Sequence, residues 1–158
     1  MNKQPMPILK ATEPAGYILA WHHEGKGLQK YFDTYAAARE AYSQQLAAWI
    51  MYPLQAWLRQ HSYLAAAVEK ASPYRAEWVK SLHADIKFYE KHPARLSVAS
   101  FCTWLQNGGL QKFKAAMPGK KSRYYAHSAA LYNWLSDQSR MALFTNPTTA
   151  REAQTHIL

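Results

Sequence analysis

The chain has 158 residues and a mass of 18.1 kDa, which suits one compact domain. Its 19 Lys and Arg residues outnumber its 10 Asp and Glu residues and give a net charge of +9, while apolar residues make up 49% of the chain, so the composition is not that of a disordered segment. A single cysteine excludes an internal disulfide framework and a multi-thiolate zinc site, and the sequence has no run of about 20 apolar residues of the kind that crosses a membrane.

The first third of the sequence predicts a small β-structure followed by a helix. Residues 1–15 carry three prolines and predict an extended arm or a short edge strand. Residues 16–32 hold two apolar runs separated by EGKG, which predicts a β-hairpin. Asp33 and Thr34 are good N-caps for the alanine-rich segment that follows, so residues 16–52 are predicted to form one module of a hairpin and a helix.

The rest of the sequence predicts helices and turns. Pro53 interrupts the first helical pattern, and later helices are predicted to start at Leu54, at Pro73, near Ser97, at Leu110 and near Ser122. The Pro73 helix ends before Pro93, and Asn107 with two glycines separates the Ser97 helix from the short amphipathic piece LQKFKAA. The last helix reaches Phe144, and the polar tail over residues 145–158 is expected to fray.

The fold class predicted from these elements is α+β and mainly α. An N-terminal β-hairpin or small sheet packs on a helix, and residues 53–144 form an irregular helical bundle. Four tryptophans fall on apolar stripes and are predicted to lie in the core: Trp49, Trp57, Trp78 and Trp104. The tyrosines follow such stripes less clearly, and the sequence does not decide between a protein interface and stacking on single-stranded bases for them.

The positive charge is concentrated in one part of the chain. Residues 91–136 hold seven basic residues and no acidic residue, which supplies +7 of the net +9. Most of this charge lies in residues 112–125, which we call the basic segment; its candidate phosphate-binding and stacking residues are Lys112, Lys114, Lys120, Lys121, Arg123, Tyr124 and Tyr125. Gly119 lets the backbone approach a partner, so the pattern indicates a nucleic-acid-binding patch. A solvated loop that aids solubility and an acidic protein partner are the alternatives.

A resemblance to a known family covers residues 16–42. The matching positions are Trp21, Gly25, Lys26, Gly27, Phe32, Asp33, Thr34, Ala37 and Ala38. This stretch resembles the arm-type, AP2-like DNA-binding domain at the front of phage and integrative-element integrases. The resemblance implies a three-stranded sheet laid in the major groove, with residues 6–11 as its first strand and His22, His23, Lys26 and Lys30 as polar readers. The same residues are also expected where a strand leads into a helix that Thr34 caps, so the pattern does not by itself require DNA binding.

The sequence offers no set of catalytic residues. His22 and His23 are adjacent on a predicted strand and point to opposite faces, so they do not share a metal ion. Cys102 lies in a segment that is predicted to be helical and apolar, and it is predicted to pack in the core. Carboxylates are scattered, glycine-rich phosphate cradles are missing, and the integrase cluster of Arg, His and Tyr is absent. We therefore expect no enzymatic activity, no cofactor and no metal.

Together these patterns predict a non-enzymatic nucleic-acid-binding protein of bacterial or mobile-element type. The alternative is a small protein-interaction module, such as a phage or plasmid inhibitor that occupies a nucleic-acid-binding surface of a host complex. The N-terminal segment has no apolar run as long as that of a signal peptide, so we expect a cytoplasmic protein without membrane contact. The sequence does not decide whether the protein binds DNA or RNA, which base sequence it prefers, or what its oligomeric state is.

Overall fold

The structure, a computed structural model, describes residues 4–12, 15–61 and 73–140. Three antiparallel strands come first: β1 (Ile8–Thr12), β2 (Gly16–His23) and β3 (Lys26–Phe32), in the order β1-β2-β3. Glu24 and Gly25 form the two-residue turn between β2 and β3, with φ of 52° and 80°. Positive φ at both positions is the geometry of a type I′ turn, whose twist matches that of the flanking strands. The predicted hairpin and its glycine turn are confirmed.

Five α-helices follow the sheet in the described part of the chain: α1 (Tyr35–Gln60), α2 (Pro73–Lys91), α3 (Val98–Trp104), α4 (Leu110–Ala116) and α5 (Tyr125–Gln138). A 3₁₀ turn (Pro93–Arg95) precedes α3, and a wide π-type turn (Leu105–Gly109) joins α3 to α4. The prediction of an α+β, mainly α fold is confirmed. None of these helices is long and apolar enough to cross a membrane.

The sheet packs on α1 through alternate residues. Leu9 of β1 and Leu19 of β2 are directly paired and almost fully buried, and the Tyr17 ring lies 5.8 Å from that of Tyr35 at the start of α1. The residues that alternate with Leu9, Tyr17 and Leu19 along the strands point to the opposite, open face of the sheet. Tyr31 lies on this open face and is 54% exposed. One face of the small sheet therefore joins the core and the other remains accessible.

The main core lies among α1, α2, α3, α4 and α5. Its largest fully buried side chains from the helices are Trp57, Phe101, Phe113, Leu46, Ile50, Leu54, Leu82, Leu131 and Leu135. Burial of these side chains removes a large apolar area from water, which is the dominant favourable contribution to folding. Of the four tryptophans predicted in the core, Trp57 is fully buried, and Trp49 and Trp104 are half-buried against the core. Trp78 is 37% exposed, so its placement in the core is wrong.

The prediction of a new helix at Leu54 is wrong, because α1 continues through Pro53 to Gln60. A proline inside a helix removes one backbone hydrogen bond and costs about 3 kcal/mol. Ile50, Met51 and Leu54 are buried on both sides of the proline, so packing of one continuous apolar face offsets this cost. The rest of the predicted stripe, Leu64 to Val68, lies outside the described residues.

The other helix boundaries agree well with the sequence patterns. Thr34 caps α1, since its Oγ1 accepts a hydrogen bond from the backbone N–H of Ala37 at 3.3 Å. The break between α3 and α4 falls at Gly108, whose φ of 128° is readily adopted by glycine alone. The last helix begins at Tyr125 and not near Ser122, because residues 122–124 form a turn before it. Its predicted end at Phe144 and the tail over residues 145–158 lie outside the described residues.

Candidate nucleic-acid interface

The basic segment runs from α4 through the following loop to the start of α5. Lys114, Lys120, Lys121 and Arg123 all have exposed side chains. Among the described residues, the one ion pair that involves this segment joins Lys112 to Asp85. Four cationic groups therefore stand in solvent without a carboxylate partner in the described part of the chain.

Lys112 differs from the other cations of the segment. Its Nζ lies 2.5 Å from Oδ2 of Asp85 on α2, and both side chains are largely buried. The same carboxylate oxygen accepts a hydrogen bond from Nε1 of Trp104 at 2.7 Å. Since this carboxylate compensates the Lys112 charge, Lys112 holds α4 against α2 and is less suited than its neighbours to contact a phosphate.

The far end of the basic segment is fixed to the core by a chain of hydrogen bonds. Trp57 on α1 donates its indole N–H to Oγ of Ser128 at 2.9 Å, and this hydroxyl donates to the carbonyl of Tyr124 at 2.9 Å. The Trp57 ring also packs edge-on against Phe113 of α4, with the centroids 4.8 Å apart. One buried tryptophan therefore holds both helices that flank the exposed loop.

The two predicted stacking tyrosines are both half-buried. The guanidinium of Arg123 stacks over the Tyr124 ring at 4.8 Å and donates to its hydroxyl at 2.6 Å, and the His61 ring lies 5.2 Å from the same ring. Tyr125 packs against the core. These contacts hold the Arg123 side chain, which is exposed, and leave neither tyrosine as an open platform for a base.

A buried histidine lies beneath the segment, at the end of α1. The His61 ring is 5.2 Å from that of Tyr124 and 6.1 Å from that of His127. Burial lowers the pKa of His61 from its ordinary value of 6.5, and the positive charge that His127 can carry lowers it further. Protonation of His61 is therefore disfavoured in the folded protein.

The hairpin residues do not share one surface. Lys30 is the register partner of Leu19, and Lys26 is that of His23, so the pleat directs both lysines to the α1 side of the sheet. His22 points to the open face. All three side chains are exposed, and Nζ of Lys30 lies 5.3 Å above the Phe32 ring.

The structure does not bring the hairpin and the basic segment together. The hairpin tip, with His22, borders a cleft of about 540 Å³ that reaches Tyr89 and Glu90 near the end of α2. Lys114 of the basic segment lies beside Trp78, near the start of α2. These two points of α2 are 11 residues apart, which is about 16 Å along the helix axis.

No family model, curated protein or solved structure matches the chain. Its candidate function therefore depends on its own residues and their placement. Within the described ranges, no group of three or more His, Cys, Asp or Glu side chains is placed to hold a metal ion.

Sequence reasoning missed a third feature beside the basic segment. Trp78 and Arg75 of α2 border a shallow depression of about 410 Å³ together with Gln111, Lys114 and Ala115 of α4. Trp78 is spaced four and eight residues before Leu82 and Ile86, which is regular helical spacing, but the buried residues of α2 also include Ala76 and Val79. These two residues shift the centre of the buried stripe away from position 78, so Trp78 lies at its edge.

Proposed function

We propose that the protein binds nucleic acid without catalysis and that its basic segment contacts the phosphates. The observation that carries this proposal is the set of four exposed cations, Lys114, Lys120, Lys121 and Arg123, that have no carboxylate partner in the described part of the chain. Unpaired surface cations attract a polyanion and release its counterions on binding. We also propose a cytoplasmic location and a bacterial or mobile-element origin for this activity.

Local geometry supports the proposal. Gly119 is exposed and has open space around its Cα, so a phosphate backbone can approach the loop closely. Arg123 is held by Tyr124, which reduces the entropy lost when its guanidinium binds a phosphate. The segment thus combines exposed lysine charges with one guanidinium that is held by a neighbouring ring.

The resemblance of residues 16–42 to integrase arm domains adds the sheet as a second proposed contact, for duplex DNA. The open face of the sheet carries Lys10, His22, Gln29 and Tyr31 among smaller apolar side chains. A sheet of this width fits the major groove. On this proposal the basic segment supplies most of the affinity and the sheet discriminates duplex from single strands.

The test is fluorescence anisotropy with labelled duplex and single-stranded oligonucleotides at about 50 and 200 mM salt. Each phosphate contact contributes about 0.9 to the salt slope on duplex and about 0.7 on single strands, so four contacts give a slope of about −3 to −4. Lys120→Glu with Lys121→Glu is expected to reduce affinity by at least about 30-fold. No binding of the unmodified protein at 50 mM salt would overturn the proposal.

The matched control is Lys87→Glu with Lys91→Glu on α2. Both residues are exposed and this pair changes the net charge by the same amount, but it lies toward the end of the helix opposite to the basic segment. We expect this control to lose less than about 3-fold in affinity. Equal losses in the two variants would show that overall charge, and not this segment, determines binding.

A protein-interaction module remains the second candidate because of the open face of the sheet. Ile8 and Tyr31 lie on this face and are 44% and 54% exposed. Aromatic and aliphatic side chains that stand in solvent are typical of interface anchors. This candidate is favoured if a purified partner binds the protein, loses binding with Tyr31→Asp and retains it with Lys120→Glu and Lys121→Glu.

A further inference from the structure

Trp78 occupies an unusual position for a tryptophan. It lies on the flank of α2 that faces α4, and 37% of its surface is exposed. Beside it is the shallow depression formed with Gln111, Lys114 and Ala115. The exposed third of this large apolar residue does not gain the favourable free energy of burial, and it provides a surface on which another flat group can be buried.

The rim of this depression is rigid and positively charged. Arg75 donates hydrogen bonds from Nη2 to the backbone carbonyl of Ala115 and, at 3.2 Å, to that of Met117. These carbonyls are at the end of α4, so the guanidinium caps this helix while it borders the depression. The Lys114 side chain also borders the depression and is exposed. The site therefore combines the apolar surface of Trp78 and Ala115 with two cations.

Charge indicates which kind of ligand fits this site. The carboxylate next to Trp78 in sequence, that of Glu77, is 3.9 Å from Nζ of Lys80 and is partly compensated by it. Beyond Lys114, the chain continues through Met117 and Gly119 to the exposed cations Lys120 and Lys121. A ligand that combines a flat apolar face with an adjacent anionic backbone matches this order of groups.

We propose that Trp78 stacks an unpaired base of a single-stranded nucleic acid whose backbone runs along Lys114 toward the basic segment. This inference rests on the proposed function and names its substrate class. Bases in a duplex are stacked on each other and present only their edges, so they cannot cover the face of Trp78. Trp78 therefore contributes to the affinity for single strands and not to the affinity for duplex.

The experiment compares Trp78→Ala, Trp78→Phe and the control Phe88→Ala on a labelled single strand of thymidines and on a duplex. Phe88 is 46% exposed on the same helix, ten residues or about 15 Å away, so it matches Trp78 in exposure but not in place. Stacking on one base corresponds to about 5- to 100-fold in affinity. We expect Trp78→Ala to lose this factor on the single strand, and Trp78→Phe and Phe88→Ala to lose less than about 3-fold.

A second measurement removes the base and leaves the protein unchanged. A strand with abasic sites keeps every phosphate, so the unmodified protein should lose on it about what Trp78→Ala loses on the intact strand. Trp78→Ala itself should bind abasic and intact strands almost equally. The salt slope should not change, because Trp78 neutralises no phosphate.

The outcomes separate this inference from the proposed function. If the unmodified protein binds no oligonucleotide, both proposals fail. If it binds with a steep salt slope but Trp78→Ala binds the single strand as tightly, the stacking site is wrong and the basic segment stands. Equal losses for Trp78→Ala and Phe88→Ala on the single strand, or equal losses for Trp78→Ala on the single strand and on the duplex, would also overturn the stacking site.

Discussion

The N-terminal sheet and the basic segment were both predicted to contact nucleic acid, but they are built differently. On the sheet, the pleat alternates side chains between two faces and separates His22 from Lys26 and Lys30. In the basic segment, a loop between two helices leaves Lys120, Lys121 and Arg123 exposed together. Charges that are close in sequence form one surface more readily in a short loop than on a strand.

The two regions also differ in what lies beneath them. The basic segment is anchored by Trp57, which is fully buried and contacts both α4 and α5. Trp57→Ala is expected to reduce the free energy of unfolding by about 3–5 kcal/mol, the cost of a large buried aromatic. Ile8→Ala, on the open face of the sheet, should cost less than about 1 kcal/mol. Urea unfolding of both variants tests this difference, and similar midpoints would contradict it.

Reversing three charges on each region tests which one carries the affinity. The variant with Lys120→Glu, Lys121→Glu and Arg123→Glu should lose at least about 100-fold in affinity for single strands. The variant with Lys10→Glu on the open face of the sheet and Lys26→Glu and Lys30→Glu on its α1 side has the same net charge and should lose less than about 5-fold on single strands. Anisotropy titration at 50 mM salt measures both. If the sheet variant loses affinity for duplex alone, the sheet contacts duplex, whereas a larger loss on single strands would reverse the assignment.

Two neighbouring lysines within the basic segment should behave in opposite ways. Lys112→Gln breaks the ion pair with Asp85 and should reduce the free energy of unfolding by about 1 kcal/mol. Lys114→Gln should leave stability unchanged within about 0.5 kcal/mol and lower the salt slope of binding by about one. Thermal unfolding and salt titration of the two variants provide the comparison. A stability loss in Lys114→Gln would argue against its role at the surface.

The smallest expected effect is a pH dependence that comes from His61. Its pKa is lowered in the folded protein, so the unfolded chain takes up this proton first as the pH falls. Stability from this residue is fully present above pH 6.5 and is lost as the pH falls below that value. His61→Phe should flatten the pH dependence of the urea midpoint between about pH 5 and 8, and His127→Gln should do so in part. An unchanged slope in His61→Phe would contradict this account.

Local signals in the sequence were sufficient to predict most of the fold. The EGKG turn, the Thr34 cap and the break at Gly108 each depend on a few adjacent residues, and the structure has all three. The continuity of α1 across Pro53 depends on burial on both sides of the proline, which local propensity does not contain.

The candidate site was less predictable because its residues come from separate elements. Lys112 was grouped with its basic neighbours, but its partner Asp85 lies 27 residues earlier. Trp78 was predicted in the core because it lies at helical spacing from Leu82 and Ile86, but Val79 is nearer to the centre of the buried stripe of α2. Charge density along the chain found the region, and only the packing of α2 on α4 distinguishes the structural lysine from the exposed ones.

The lysines of the small sheet have a consequence that is independent of any ligand. β1 and β3 are the two edges of the sheet, and Lys10, Lys26 and Lys30 lie exposed along them. A bare strand edge offers unpaired N–H and C=O groups to any other extended chain, and a lysine on that edge would have to lose its hydration before such a strand could pair. These three charges therefore oppose the growth of the sheet from one molecule to the next and protect a protein with many apolar residues against aggregation.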